Sequence, residues 1–297
     1  MELPATRRLQ DRLLVYAPAK LNLYLAVRGK RPDGYHELCS LLVALDWYDT
    51  LLFQPAARQQ EPVRIRSNVA ALEGQENLVV RAVQMLRARL GVPPHPLRLW
   101  LQKRIPHGAG LGGGSSDAAA TLVALARHYG GSVLRRTLVQ WSAELGSDCP
   151  FFAAGVPAAV VYGRGEEVVP VELPVLDVVV HWPGVRLSTR QVFERFRLCG
   201  TAAGSPERLL EALRSGVCGR ELNFLLRNDL YESAAALAPA IARSLEALSS
   251  CGLAASMSGS GSTVFGIARN REEAIHVARQ LKQQKVEGLV TVTRTLG

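Results

Sequence analysis

The residue types most able to do chemistry lie in one glycine-rich run, residues 106–116, which reads PHGAGLGGGSS. Consecutive glycines let backbone N–H groups approach phosphate oxygens closely, and serine hydroxyls can bind phosphate or Mg²⁺. The run leads into a predicted helix of small residues, DAAATLVALARHYGG, which we expect Ser115 and Ser116 to cap. This pattern predicts a phosphate-binding loop at a helix N-terminus, with a flexible surface loop before an ordinary helix as the alternative.

Three familiar nucleotide-binding loops fit this run only in part. Gly108 to Gly113 satisfies G-x-G-x-x-G, but a dinucleotide fold needs a second strand with an acidic residue about 20 positions later. A second helix is predicted there instead, and residues 127–136 hold no carboxylate. A Walker A loop requires lysine where Gly114 stands, and no HRD or DFG segment of a protein kinase follows. A phosphate-binding glycine loop of another kind remains.

Two polar residues, Lys20 and Asn22, stand in a strand predicted for residues 14–27, LVYAPAKLNLYLAV. Strict alternation places both on one face, so we expect them to share one space. The alternative for Lys20 is an edge residue that points to water. The next segment, RPDGYHEL, predicts a tight turn that presents Tyr35 and His36.

The elements that must position these residues divide the chain into two predicted domains, 1–170 and 171–297. The first contains the strands LCSLLVALDWYDTLLF, VRIRS and LRLWLQKRIP and the helices NLVVRAVQMLRARLG and VLRRTLVQWSAELG. The second contains the strands VLDVVVHW, GLAAS, STVFGIA and LVTVTR, the helices TRQVFERF, ESAAALAPAIARSLEAL and EEAIHVARQLKQQ, and a loop rich in Gly, Ser and Pro. Antiparallel strands mixed with helices predict an α+β fold for the second domain.

Composition limits the possible classes of protein. The 297 residues are 48% hydrophobic and 21% charged, with no apolar stretch of the roughly 20 residues that span a membrane. The net charge is +9, but the basic residues are scattered, so we expect neither a nucleic acid nor a membrane partner. Five cysteines without a CxxC pair predict no disulfide framework and no zinc site, which favours a cytoplasmic location. We expect residues 1–12 to be a short disordered extension.

The segment PHGAGLGGGSSDAAATL resembles the ATP loop of the GHMP kinases, and the resemblance extends to PAKLNLYLAVRGKRPDGYHEL, LGSDCPFF, PGV with ST, RNDL and MSGSGSTVF, in the family's order. It covers the chain from about residue 14 to the end. It implies an ATP-dependent small-molecule kinase that uses Mg²⁺. It also implies an α+β, two-domain architecture, with a ribosomal-protein-S5-domain-2-like N-terminal domain and a ferredoxin-like C-terminal α/β sandwich.

The resemblance also assigns expected roles to individual residues. Asp148 matches the family's catalytic aspartate, and a helix cap is the alternative; Lys20 matches its active-site lysine. The expected ATP-binding residues are Pro106, His107, Gly108, Ala109, Gly110, Leu111, Gly112, Gly113, Gly114, Ser115 and Ser116. Asn22, Tyr35, His36 and Phe193 are expected to bind substrate, Gly259, Ser260 and Gly261 to form a second glycine loop, and residues 77–82 to lie near adenine.

The segments DGYHEL and LNLYLAV resemble a branch of the family whose substrate is a cytidylylated polyol. We expect Tyr35, His36 and Phe193 to hold its cytidine ring, although a core position for Phe193 and an exposed loop position for His36 are alternatives. The alternative for the second glycine loop is a bare turn between two strands, with no role in the site. No acidic Mg²⁺ ligand stands out, so the sequence predicts no dedicated protein metal site and an ion held largely by ATP phosphates, water and a serine. Asp117 and Cys149 occupy positions that vary in the family.

Three other assignments follow from weaker signals. We expect a monomer or a weak homodimer. Another GHMP kinase, acting on mevalonate, phosphomevalonate, homoserine or a sugar, is the competing enzyme. A non-catalytic anion-binding protein on the same fold is the competing class, and only the charge of +9 supports it.

Overall fold

The computed structural model describes residues 3–9, 11–56, 62–129, 133–197 and 205–297. The strands are β1 (Ala5–Leu9), β2 (Arg12–Lys30), β3 (His36–Pro55), β4 (Val63–Ser67), β5 (Leu97–Gln102), β6 (Ala158–Gly163), β7 (Glu167–Pro170), β8 (Asp177–Trp182), β9 (Arg227–Asn228), β10 (Ala254–Met257), β11 (Val264–Ala268) and β12 (Leu289–Arg294). The helices are α1 (Leu78–Leu90), α2 (Gly113–His128), α3 (Arg135–Ser142), α4 (Cys149–Ala154), α5 (Thr189–Arg195), α6 (Glu207–Arg214), α7 (Tyr231–Leu237), α8 (Ala240–Ser250) and α9 (Arg271–Gln283).

Contacts group the chain into two compact units. The first unit is Met1–Ala19, Trp47–Ile105 and Gly112–Val156, and the second is Lys20–Asp46, Pro106–Leu111 and Pro157–Gly297. The strands β2 and β3 therefore contribute residues to both units, and the glycine run passes from the second unit to the first after Leu111.

In the first unit, β5 pairs antiparallel with β3 and parallel with β4. Alternation in β5 buries its leucines and exposes Arg98, Trp100 and Gln102, as expected for a strand with one face in the core. Helix α2 packs against α1 and α4, and residues 116–126 are all buried because their small side chains allow close helix packing. The start of α2 is therefore held by the core of this unit.

The ends of α1 follow from its sequence. Asn77 Oδ1 accepts a hydrogen bond from Val79 N at 2.9 Å, and Gly91 closes the helix in the left-handed region at φ 63°. These are the cap residue types that helices favour, which confirms the predicted helix.

The N-terminal segment contradicts its prediction. Residues 5–9 form β1, which pairs antiparallel with β2, so that Ala5 lies opposite Tyr16. The prediction of a disordered extension is wrong because an edge strand is held by backbone hydrogen bonds and needs no apolar pattern of its own; four of the five β1 residues are exposed. Arg135 anchors the segment further, since it donates to Leu3 O at 3.2 Å and to Ala153 O at 3.0 Å.

In the second unit, β2 and β3 are neighbouring strands joined by a turn in which Arg31 N donates to Tyr35 O at 2.7 Å. β6 pairs antiparallel with β3 and with β7, and the short β9 pairs parallel with β2. Sequence analysis did not predict β6, β7, β9 or α6.

A separate four-stranded antiparallel sheet of the second unit has the order β10-β11-β8-β12, with α8 over β10 and β11 and α9 over β8 and β12. Taken in chain order, strand, helix, two strands, helix and strand give the ferredoxin-like arrangement, which confirms the α+β prediction.

One predicted helix is broken. Residues 232–248 were predicted as a single helix, but α7 ends at Leu237 and α8 begins at Ala240. Pro239 has no N–H to donate and disfavours helical backbone at the residue before it; Ala238 accordingly has φ −142° and ψ 89°. The prediction failed because it followed the apolar period through a proline.

Membrane-spanning helices and disulfides can be assessed for the described residues. Within them, no helix combines the length and apolar character that crossing a bilayer requires. Four cysteines there, Cys39, Cys149, Cys218 and Cys251, are free thiols, and Cys199 lies outside these ranges.

Candidate active site

Lys20 and Asn22 lie side by side on β2, as predicted, in the second unit. Lys20 Nζ donates to Asn22 Oδ1 at 2.5 Å, and Asn22 Nδ2 donates to Ser40 Oγ at 2.8 Å. Lys20 is only 2% exposed. The alternative of a water-facing edge lysine therefore does not hold, and the ammonium is fixed by a buried polar network.

The second glycine loop lies against the first part of the glycine run, within the same unit. Ser258 Oγ donates to Gly110 O at 3.0 Å, and Thr263 N donates to Ala109 O at 3.1 Å. A Cβ atom at Gly110, where φ is +80°, would lie 2.4 Å from Ser258 O. Only glycine can occupy this position without moving one of the two loops.

The same loop reaches Lys20. A Cβ at Gly259 would lie 3.1 Å from Lys20 Nζ, so the loop backbone approaches the ammonium directly. Asn228 Nδ2 holds this backbone by donating to Met257 O at 2.7 Å and to Gly259 O at 2.9 Å. Ser260 Oγ is hydrogen-bonded to Thr189 Oγ1 at 2.9 Å. These hydrogen bonds fix the position of the second glycine loop.

The remaining residues of the run differ in exposure. His107 and Gly108 are exposed, Pro106 is half-buried, and Ala109 and Leu111 are buried. Leu111 O accepts from Lys20 N at 3.0 Å, which joins this part of the run to β2.

In the first unit, the last residues of the run begin α2. The N-cap residue is Gly112, at φ 68°, and no side chain caps the helix. Ser115 and Ser116 lie three and four residues after this N-cap, inside the first turn, so the prediction that they cap the helix is wrong. The left-handed conformation of Gly112 turns the chain into the helix before the serines are reached. Because no side chain caps it, this helix start is well suited to an anion.

Two further features of this helix start matter for phosphate. Gly114 is exposed, and, apart from its chain neighbours and the backbone of its own helix, no atom of the described residues lies within 4 Å of the position of an added Cβ. The buried hydroxyl of Ser116 has no hydrogen-bond partner among the described residues. A buried hydroxyl without a partner fits a group that accepts or supplies a hydrogen bond when a ligand is present.

Asp148 occupies the N-cap position of α4, in the first unit, with Pro150 in the first turn. Its side chain makes no capping hydrogen bond, and the residue is half-buried. The next residue, Cys149, is buried, and burial raises the pKa of its thiol to about 12, against a hydrogen bond from Ser115. The thiol is therefore a packing group at neutral pH.

The predicted cytidine-binding residues are partly brought together in the second unit. The rings of His36 and Phe193 stack at 4.8 Å with an interplanar angle of 24°. Burial, with a contribution from Lys30, lowers the pKa of His36, so its ring is neutral at pH 7. Tyr35 is exposed, and the guanidinium of Arg164 lies 5.1 Å from its ring centroid. Phe193 is half-buried beside the core rather than inside it.

The region predicted to lie near adenine is partly used by the fold. The amide of Asn77 caps α1 and also donates to Leu72 O at 2.8 Å. Val79, Val80 and Ala82 are core residues of the helix.

Sequence reasoning missed several residues that hold these groups, including Ser40, Arg164, Asn228 and Ser258. Ser258 directly precedes the second glycine loop and Asn228 stands in RNDL, so both had a local signal. Ser40 and Arg164 had none. As for metals, no three His, Cys, Asp or Glu side chains converge in the part of the chain that the structure describes.

Comparison with known proteins extends this picture over both units. The family model described as GHMP kinases N terminal domain matches residues 77–156, and the model described as GHMP kinases C terminal matches residues 207–287. A Synechococcus protein named 4-diphosphocytidyl-2-C-methyl-D-erythritol kinase is 39% identical over 289 residues, which are 92% of each chain. A protein of the same name from Anaeromyxobacter dehalogenans is 41% identical over 266 residues, covering 89% of this chain and 83% of that protein.

Solved structures agree. A crystal structure of 4-(cytidine 5'-diphospho)-2C-methyl-D-erythritol kinase is 36% identical and matches with a TM-score of 0.80, covering 96% of this chain and 100% of that chain. A homoserine kinase from Cytophaga hutchinsonii matches with a TM-score of 0.70 over 98% of this chain and 96% of its own, but at 18% identity it shows the fold alone. The chain belongs to the GHMP kinase family of ATP-dependent small-molecule kinases.

Proposed function

We propose that the substrate is 4-diphosphocytidyl-2-C-methyl-D-erythritol and that its 2-hydroxyl receives the γ-phosphoryl group of ATP. The products are the 2-phosphate and ADP, a step of isopentenyl diphosphate biosynthesis by the non-mevalonate pathway. The observation that carries the proposal is the likeness, over about nine-tenths of the chain, to relatives named for this reaction. The stacked rings of His36 and Phe193 add a surface suited to a nucleobase.

The glycine run is proposed to bind the phosphates of ATP. The uncapped start of α2 supports this role, because first-turn N–H groups and the helix dipole attract anions. Mg²⁺ fits as an ion held by phosphate oxygens, water and one hydroxyl, and Ser116 Oγ, which has no hydrogen-bond partner among the described residues, is a protein group that suits it. The ion supplies charge neutralisation on the phosphates when bound.

Lys20 and Asp148 are proposed as the catalytic residues. The Lys20 ammonium, fixed by Asn22 and by the approach of Gly259, would neutralise charge on the transferred phosphoryl group. Asp148 would orient the acceptor hydroxyl and take its proton while the new O–P bond forms and the bond from the γ-phosphorus to ADP breaks.

The substrate proposal is tested with a coupled ADP-release assay on four alcohols: the cytidylylated methylerythritol, mevalonate, homoserine and galactose. We expect ADP release with the first alone. Turnover of another alcohol in its place would overturn the substrate and favour a different GHMP kinase.

The role of Asp148 is tested by Asp148→Asn. We expect kcat to fall by about 10²–10⁴, the range for a general base, while nucleotide binding is retained. Asp46→Asn is the matched control, because Asp46 is a partly exposed carboxylate whose partner is Arg294, at 3.5 Å. A fully active Asp148→Asn enzyme contradicts the assignment.

Three broader assignments stay predictions of ours: domains at 1–170 and 171–297, a cytoplasmic location, and a monomer or weak homodimer. Size-exclusion chromatography with light scattering checks the last of them.

A further inference from the structure

Three charged side chains form a buried cluster in the first unit, and the proposed reaction does not use them. We call Asp49, Lys103 and Asp117 the buried triad. Lys103 Nζ donates to Asp117 Oδ2 at 2.8 Å and also to Asp49 Oδ2. None of the three is more than 8% exposed, so the ammonium joins two carboxylates away from water.

One side of the buried triad holds the chain just before the glycine run. Asp49 Oδ1 accepts hydrogen bonds from the backbone N–H groups of Arg104 and Ile105, at 2.6 and 2.9 Å. Asn68 Oδ1 accepts from Lys103 N at 2.8 Å, and Asn68 Nδ2 donates to Lys103 O at 2.9 Å. These hydrogen bonds therefore fix the backbone of residues 103–105, which directly precede the glycine run.

The other side holds the chain just after the run. Asp117 stands four residues after Gly113, so the two share one face of α2. A Cβ at Gly113 would lie 3.1 Å from Lys103 Nζ and 3.2 Å from Asp49 Oδ2. The first residue of the helix thus rests on the buried triad, and a larger residue would push the two apart.

The charges of the buried triad do not balance. Two ionised carboxylates and one ammonium leave a net charge of −1 in the core. Burial raises the pKa of Asp117 to about 7, against the effect of Lys103 and with that of Asp49, the charged groups that face it in the described structure. Asp117 Oδ1 has no hydrogen-bond partner among the described residues.

Such a cluster is a costly way to fill a core. Buried ion pairs lose their hydration, and well-packed apolar side chains of similar volume are often as stable or more stable. The buried triad instead fixes the orientation of the backbone around it, because three charged groups joined by several hydrogen bonds allow only one arrangement. Phosphate binding at a helix start depends on the direction of the first-turn N–H groups.

We propose that Asp117 is a positioning residue for nucleotide binding: through Lys103 it fixes the first turn of α2 in the orientation that phosphate requires. The inference rests on the proposed role of the glycine run. ATP affinity should depend on this link, whereas the transfer step, once ATP is bound, should not.

The test compares two variants of Asp117. Asp117→Leu keeps the branched shape and the number of non-hydrogen atoms of the side chain but cannot accept from Lys103, and we expect it to raise the KM for ATP and the Kd for ADP about tenfold. The kcat at saturating ATP should change less than about threefold, and the KM for the alcohol should not change. Asp117→Asn still accepts from Lys103 and should stay within about threefold of wild type in every constant.

Controls separate this proposal from the role of the run. Glu273→Gln breaks a surface pair with Arg269 and should leave all constants unchanged. Gly114→Asp adds a negative charge at an open position of the run and should abolish ADP binding. Normal ADP binding by Gly114→Asp overturns the role of the run itself.

Three outcomes overturn the positioning role alone. They are a folded Asp117→Leu with wild-type ADP affinity, a fall in kcat as large as the rise in KM, and an Asp117→Asn variant as impaired as Asp117→Leu. Thermal unfolding checks the fold of each variant. If Asp117→Leu does not fold, Asp117→Ser, which is too short to reach Lys103, replaces it with the same expectations.

Discussion

The ionisation of Asp117 predicts how the stability of the protein depends on pH. Burial raises the pKa of this carboxyl from 3.8 to about 7 in the folded chain. Between these values the folded protein keeps a proton that the unfolded chain has lost. Folding stability that depends on Asp117 must therefore fall as pH rises from about 4 to about 7, and stay low above that. Asp117→Asn cannot ionise and should remove this fall.

The size of the effect follows from the shift. A difference of about three pKa units, at 1.36 kcal/mol each, corresponds to about 4 kcal/mol between pH 4 and pH 8. Asp117→Asn should therefore gain stability relative to wild type by up to this amount over that range. The gain is large compared with total stabilities of about 5–15 kcal/mol.

The assay is equilibrium unfolding in urea at half-unit steps from pH 4.5 to pH 8.5, for wild type and Asp117→Asn in parallel. Titrating groups that do not contact Asp117 contribute equally to both proteins, so the difference between the two free energies of unfolding reports on Asp117 together with Lys103 and Asp49, the charged groups that face it. Glu273→Gln is the matched control, because its carboxylate is paired at the surface and its pKa is lowered mainly by a hydrogen bond from Arg269.

Two results would refute the reasoning. One is a difference that stays constant from pH 4.5 to pH 8.5, which would mean that Asp117 titrates alike in both states. The other is a wild type that gains stability over the variant as pH rises, because an ion pair with Lys103 would then outweigh the cost of burial.

Two further predictions concern the glycine loops and the base-binding surface. Gly110→Ala places a methyl group 2.4 Å from Ser258 O at a positive φ and should lower the free energy of unfolding by about 2–4 kcal/mol. Gly114→Ala, in open space, should change the free energy of unfolding by less than about 1 kcal/mol. Equal urea midpoints for the two variants would contradict this prediction. Phe193→Leu should raise the KM for the cytidylylated alcohol about tenfold without changing the KM for ATP, because stacking is worth about 1–3 kcal/mol per base. Steady-state kinetics with both substrates measure the two constants. An unchanged KM for the alcohol would remove Phe193 from the proposed site.

Local sequence was sufficient for some features. The alternation of β2 predicted that Lys20 and Asn22 share one space, and their side chains are hydrogen-bonded. Asn77 and Gly91 marked the ends of α1 because capping depends on residues next to each other in the chain. The resemblance of several segments to the GHMP kinases indicated the family, which the relatives confirm.

Predictions from local sequence failed in two places, where strand pairing or a single proline determined the backbone conformation. Residues 5–9 carry no strand pattern, yet they pair with β2 and form β1. The helix predicted across Pro239 is two helices, because the missing N–H of one residue outweighs a continuous apolar period.

By itself, the sequence determined which residues could do chemistry and which short segments would be regular, because glycine spacing, alternation and caps act over a few residues. The tertiary structure alone decided which groups support them. Ser258 reaches Gly110 across 148 positions, and Lys103 meets Asp49 across 54 positions. Such pairs leave no periodic trace in the chain, since their contact depends on how strands and loops stack after folding. The buried triad under the glycine run is therefore a property of the fold, although each of its residues is visible in the sequence.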